Sequence, residues 1–249
     1  MKEPLKTLSL ISISLFISLL HLSFGNKHSD AASLAMKGVM GSAKHIASGK
    51  SVYDSLQLNL SGLSREAFDN AKKGWEKLSG EGKLNNQSVI AIVDFSQPST
   101  KKRLYVLDME NYKVLFNTLV AHGRNSGKEW AKSFSNKLSS FKSSPGFYIT
   151  GQTYTGSNGY SLKLTGIENG INDKAMQRAI VMHGADYVNE SFIASRGYIG
   201  RSQGCPAVPL KDAKSIINTL KDGSCLYIYV PDQKYLSRSV MLNDSITGA

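Results

Sequence analysis

The chain is poor in cysteine, tryptophan and proline: its 249 residues include two cysteines, two tryptophans and six prolines. Two cysteines are too few for a disulfide-stapled scaffold, and neither stands in a CxxC pair; no HxxxH pair accompanies them. Structural zinc sites rely on such closely spaced ligands, so the spacing gives that class no support. Internal repeats and low-complexity runs are also missing, which excludes solenoids and long disordered tracts. Long apolar runs are absent as well. The uncharged stretch from Leu8 to Leu20 falls short of the roughly 20 residues that span a bilayer.

That stretch follows Lys2 and Lys6 and ends in small residues, Ser23 and Gly25, spaced as a signal-peptidase site requires. The expected organisation is a secretory signal at 1–25, a partly helical segment at 26–86, a catalytic domain at 87–232 and a peripheral tail at 233–249. No cysteine lies near the expected cleavage point, so lipid attachment there is not expected, nor is stable membrane insertion of the mature chain. The formal net charge is +11. An exported chain does not ordinarily meet nucleic acid, so such a charge suits an anionic envelope polymer, or solubility alone.

Hydrophobic spacing changes along the chain. In the stretch LSREAFDNAKKGWEKLSG, residues Phe68, Ala71, Trp75 and Leu78 fall on one helical face, with Ser64 as N-cap and Leu63 placed as a hydrophobic staple. From Ser88 onward, VIAIVDF, KRLYVLDM and KVLFNTLVAHG read as strands of an antiparallel meander. A polar loop spans 124–144, and PGFYITGQTY and YSLKLTGI give two further strands. The stretch NDKAMQRAIVMHG reads as a short helix followed by a strand. PLKDAKSIINTLKDG is an amphipathic helix, and SCLYIYVP is a last, buried strand. The chain is therefore expected to be mainly β, with a few helices.

In an oxidising compartment two cysteines would by default pair. Cys225 instead occupies an apolar strand, where cysteine serves as a small core hydrophobe. Cys205 sits in IGRSQGCPAVP, bounded by Gly200, Gly204 and Pro206 and preceded by Arg201. A thiol ionises near pH 8.5, so a nucleophilic role needs a base or a positive field. Two histidines qualify: His122 in LVAHGRNSG and His183 in IVMHGADYV, each ending an apolar strand and followed by glycine. A metal held by Cys205 and both histidines is a further arrangement these residues allow. No metal or other cofactor is expected.

The motifs IVMHGADYV and GRSQGCPAVP, with SSPGFYITG, VAHGRNSG and YTGSNGYSL, resemble the L,D-transpeptidase catalytic (YkuD-type) family, over roughly residues 62–230. The resemblance implies a mixed-strand, sandwich- or barrel-like β domain. It makes Cys205 a nucleophile that forms a thioester with a peptidoglycan stem peptide and His183 its base. It also makes the Gly184 carbonyl the group orienting that base, and the amides of Gly204 and Cys205 the oxyanion donors. Many members carry histidine where this chain has Gln203, which concentrates base duty on His183. Arg201, with Ser202 and Gln203 beside it, is expected to bind substrate, Arg201 through a carboxylate. His122, Asn125, Ser126, Asn136 and Tyr160 are expected to line the same cleft, because their loops flank strands of one domain. The expected protein is a monomeric exported transpeptidase. An L,D-carboxypeptidase using water as acceptor and a non-catalytic wall-binding module are the alternatives.

Overall fold

A computed structural model describes residues 51–243. The expected signal segment, residues 26–50 and the last six residues lie outside that range. The described part belongs to one compact unit, Gly49–Ala249. Among the described residues no helix is long and apolar enough to cross a membrane.

The helical entry comprises α1 (Val52–Ser55), α2 (Leu58–Ser61) and α3 (Arg65–Gly80). Ser64 caps α3 as expected, its hydroxyl accepting the Ala67 amide at 3.1 Å. Phe68, Ala71 and Leu78 are buried, and Trp75 stays half-exposed with its indole N–H on the Gln87 carbonyl at 2.9 Å. The apolar face of α3 packs on β1 (Val89–Asp94) and on β8 (Cys225–Tyr229).

The other strands are β2 (Leu104–Asp108), β3 (Lys113–Thr118), β4 (Gly146–Gly156), β5 (Gly159–Gly166), β6 (Val181–Ala185) and β7 (Ala207–Pro209). They form one eight-stranded sheet in the order β3-β2-β1-β8-β4-β5-β6-β7. The β1-β2-β3 meander is antiparallel, whereas β1/β8 and β6/β7 are parallel pairs. The chain beyond β3 curls round to the opposite edge: Ala121 bridges Ala207 and Gly123 bridges Ser202. The sheet is thus nearly closed into a barrel.

Helix α4 (Glu190–Arg196) follows β6, and α5 (Leu210–Leu220) follows β7 directly. Ala213, Ile216, Ile217 and Leu220 of α5 face the core. Burying each large aliphatic side chain there contributes about 1.5–3 kcal/mol. Gly184 is what lets α5 lie so close to β6. A Cβ at that position would sit 2.8 Å from the Ala213 side chain.

Two expectations change. The short helix expected before His183 is a run of turns over 169–179. The Asn172 amide donates to the carbonyls of Pro145 and Phe147, and Glu168 accepts the Phe147 amide, so tertiary bonds fold this segment against β4. The described part of the tail, 233–243, is not peripheral either. In α6 (Gln233–Arg238) Tyr235 is buried, the hydroxyls of Tyr235 and Ser239 donate to the buried Glu168 carboxylate, and Met241 and Leu242 join the core.

Candidate active site

Parallel pairing of β6 with β7 sets His183 opposite Ala207, two residues beyond Cys205. The loop between Arg201 and Pro206 is closed on itself by the Ser202 hydroxyl. Ser202 Oγ donates to the Cys205 carbonyl at 2.7 Å and accepts the Gly204 amide at 3.0 Å. The Ser202 amide in turn donates to the His122 carbonyl, and the Ser202 carbonyl accepts the Arg124 amide. Gly204 has φ +127, a region that L side chains rarely adopt, and a Cβ there would lie 2.8 Å from the Lys142 carbonyl. The glycine before the cysteine is therefore a steric requirement of this loop.

Cys205 is a free thiol, as is Cys225. Its Sγ–H donates to the Ala179 carbonyl at 3.6 Å. Ala179 is itself left-handed, at φ 52. Burial pushes the Cys205 thiol up, while the Val181 amide, the Arg178 guanidinium and its own amide pull it down. Burial also pushes His183 below its ordinary value. Both shifts favour the neutral forms, thiol and imidazole.

The tautomer of His183 follows from its neighbour. Its Nδ1 lies 2.9 Å from the Gly184 carbonyl, which can only accept, so Nδ1 carries the proton and Nε2 keeps its lone pair. A base is thereby prepared on the ring nitrogen that the fold leaves unbonded.

Cys205 and His183 line one cleft of about 430 Å³ with Arg124, Arg178, Arg201, Ser202, Gln203, Tyr187, Ser157 and Asn158. Three arginines and no carboxylate make it strongly cationic. A larger hollow of about 530 Å³ lies between Asn117–Leu119 and the start of α5, and neither Cys205 nor His183 lines it.

Of the expected site residues, Arg201, Ser202 and Gln203 meet Cys205 and His183 in the cleft. Gly204 and Gly184 stand beside those two. The Gly204 amide, however, is taken by Ser202 Oγ, which leaves the Cys205 amide of the expected pair. His122 does not line the cleft. It is fully buried, and its Nδ1 faces the Arg103 guanidinium at 2.8 Å. An arginine only donates, so the His122 proton sits on Nε2, which is buried without a hydrogen-bond partner. Burial first and Arg103 second push His122 down to about 3. With Nδ1 so occupied His122 is no metal ligand, and among the described residues no three His, Cys, Asp or Glu converge as ligands.

Ser126 and Asn125 brace the loop from behind. Ser126 Oγ accepts the Ser143 amide, and Ser143 Oγ donates to the Gly204 carbonyl. Asn125 donates to the Ser140 carbonyl. Asn136 is bonded to Asp173 and Lys174 in a different hollow, beside α6. Tyr160 points its hydroxyl at Asn218 of α5. Adjacency to a strand end did not reveal which side of a nearly closed sheet each side chain takes.

Several cleft residues went unread in the sequence. Ser157 and Asn158 form the turn of the β4–β5 hairpin, and the SNG turn signal within YTGSNGYSL marked it. Arg124 and Tyr187 follow the two HG pairs closely. Arg178 carries no local signal, because the turn segment that presents it is shaped by distant residues.

Residues 59–229 match the L,D-transpeptidase catalytic domain. The chain belongs to that family. Solved structures similar to it include an L,D-transpeptidase from Mycobacterium smegmatis, at 12% identity over 57% of this chain and 59% of that one, with a TM-score of 0.37. L,D-transpeptidase 3 from Mycobacterium tuberculosis is 13% identical over 57% and 61%, with a TM-score of 0.36. The helical cell shape determining protein Pgp2 of Campylobacter jejuni is 16% identical over 72% and 62%, with a TM-score of 0.39. This chain spans about three fifths of the length of each. No curated protein matches it at a significant level. In the family's terms, the catalytic domain includes α3 and ends with β8.

Proposed function

We propose that the protein is an exported peptidoglycan L,D-transpeptidase with Cys205 as nucleophile and His183 as general base. The observation that carries this reading is the presence of a thiol and a correctly tautomerised imidazole in one arginine-lined cleft. Membership of the family supports it.

His183 Nε2 removes the Cys205 thiol proton as sulfur attacks the carbonyl of the L,D bond. The oxyanion that forms is met by the Cys205 amide and by the positive field of Arg178. Collapse breaks the C–N bond, His183 returns the proton to the leaving amine, and the terminal D-residue departs, leaving a thioester. The amine of a second stem then attacks, losing its proton to His183, and expels the thiolate. Gly184 orients the base, while Ser202 fixes the angle of the cysteine loop.

Mature protein and a Cys205→Ala control, incubated with disaccharide-tetrapeptide, test the reading by product mass. Cross-linked dimer made only with the cysteine present is the expected result. Disaccharide-tripeptide without dimer would make water the acceptor and the protein a carboxypeptidase. Unchanged substrate would leave a wall-binding module.

A further inference from the structure

The three arginines of the cleft are not equivalent once their donors are accounted for. Arg178 is spent on the fold. One terminal nitrogen donates to the Ser135 carbonyl and Ser144 Oγ, and the other to the Lys142 carbonyl and Ser140 Oγ. Arg201 is half spent: one terminal nitrogen holds the carbonyls of Arg124 and Gly127, which fixes the guanidinium plane and leaves its other donors open. Arg124 is exposed and makes no side-chain hydrogen bond; its guanidinium lies over the Phe141 ring, 4.1 Å from the centroid. Among the described residues neither Arg124 nor Arg201 is paired with a carboxylate, and no Asp or Glu lines the cleft.

Two oriented guanidiniums with open donors, beside a nucleophile and without an internal counter-ion, form a receptor for an anion. Guanidinium donors match a carboxylate in pairs, and an aromatic face beneath one of them fixes its plane without using its donors. In the reaction proposed above the group that leaves is the last residue of a peptide. Its free carboxylate is a negative charge that every such donor carries within one residue of the bond that breaks. Resting on that reading, we infer that Arg124 and Arg201 together bind the C-terminal carboxylate of the acyl donor. The site is thereby selective for peptide ends over internal bonds.

The test is binding, not turnover. Cys205→Ala protein is titrated calorimetrically with a synthetic stem tetrapeptide and with the same peptide as its C-terminal carboxamide. The acid is expected to bind about 10- to 100-fold more tightly than the amide, as charge-assisted hydrogen bonds require. Adding Arg124→Gln or Arg201→Gln should weaken the acid by about 10-fold and leave the amide unchanged. Arg124→Gln removes no hydrogen bond from the fold, so it carries the test even where Arg201→Gln fails to fold. Equal binding of acid and amide, or equal weakening of both by the arginine changes, would overturn the carboxylate receptor and leave the transpeptidase reading standing. Binding of neither peptide would overturn both.

Discussion

VAHG and VMHG are nearly the same four residues, and the fold gives their histidines opposite jobs. His183 hands its Nδ1 proton to a carbonyl and keeps a basic Nε2 at the cleft; His122 receives an arginine proton on Nδ1 and buries its own N–H. One partner, a carbonyl in one case and a guanidinium in the other, decides which nitrogen can act as base. What touches Nδ1 thus decides whether a histidine keeps a free basic nitrogen. The Arg103–His122 pair instead ties β2 to the chain just behind the cysteine loop, since Arg103 also holds the carbonyls of Gln97 and Val120.

The comparison breaks most visibly by substitution. His183→Gln should lower turnover by about 10²- to 10⁴-fold, the usual contribution of a general base, with little change in melting temperature. Steady-state rates beside a thermal melt check both halves. Ser202→Ala should come next, with a loss of about 10²-fold from misplacement of the sulfur. A crystal structure of that variant with an unmoved Gly204–Cys205 backbone would count against the hydroxyl lock.

His122→Leu should invert the pattern. Removing an acceptor from a buried guanidinium costs about 1–3 kcal/mol of stability, while kcat/KM of the folded enzyme stays within a few-fold of the parent. Chemical denaturation and initial rates on the same preparation separate the two.

The same two histidines set the response to pH. His122 titrates near 6.5 when unfolded and is pushed down to about 3 when folded. The unfolded chain therefore takes up the proton first. Stability present above pH 6.5 is lost toward pH 3 at about 1.4 kcal/mol per pH unit, and His122→Leu should flatten that slope in acid denaturation. In the rate profile, His183 lies below its ordinary value and Cys205 above its own, so the two limbs should spread apart. A narrow bell centred between closely spaced limbs would point to a resting ion pair instead.

Much of this was legible in the chain. The three-stranded meander and the amphipathic faces of α3 and α5 depend on residues close in sequence, whereas the choice of His183 over His122 came from the family resemblance. The role of His122 was not legible, because it depends on Arg103, which the β2/β3 register brings alongside the chain just past Thr118. Asn136 and Tyr160 were misplaced for the same reason: their loops border the domain, but the closure of the sheet turns them to other faces. Arg178 was missed because Glu168 and Asn172 hold its turn through contacts with β4. The packing of Tyr235 and Ser239 on Glu168 was likewise invisible to periodicity.

The most direct test of the two-histidine account is the intact mass of the enzyme after a brief exposure to donor tetrapeptide without acceptor. The account predicts an acyl adduct on Cys205 in the parent and in His122→Leu, and none in His183→Gln or Cys205→Ala. An adduct that survives in His183→Gln and disappears in folded His122→Leu would contradict it.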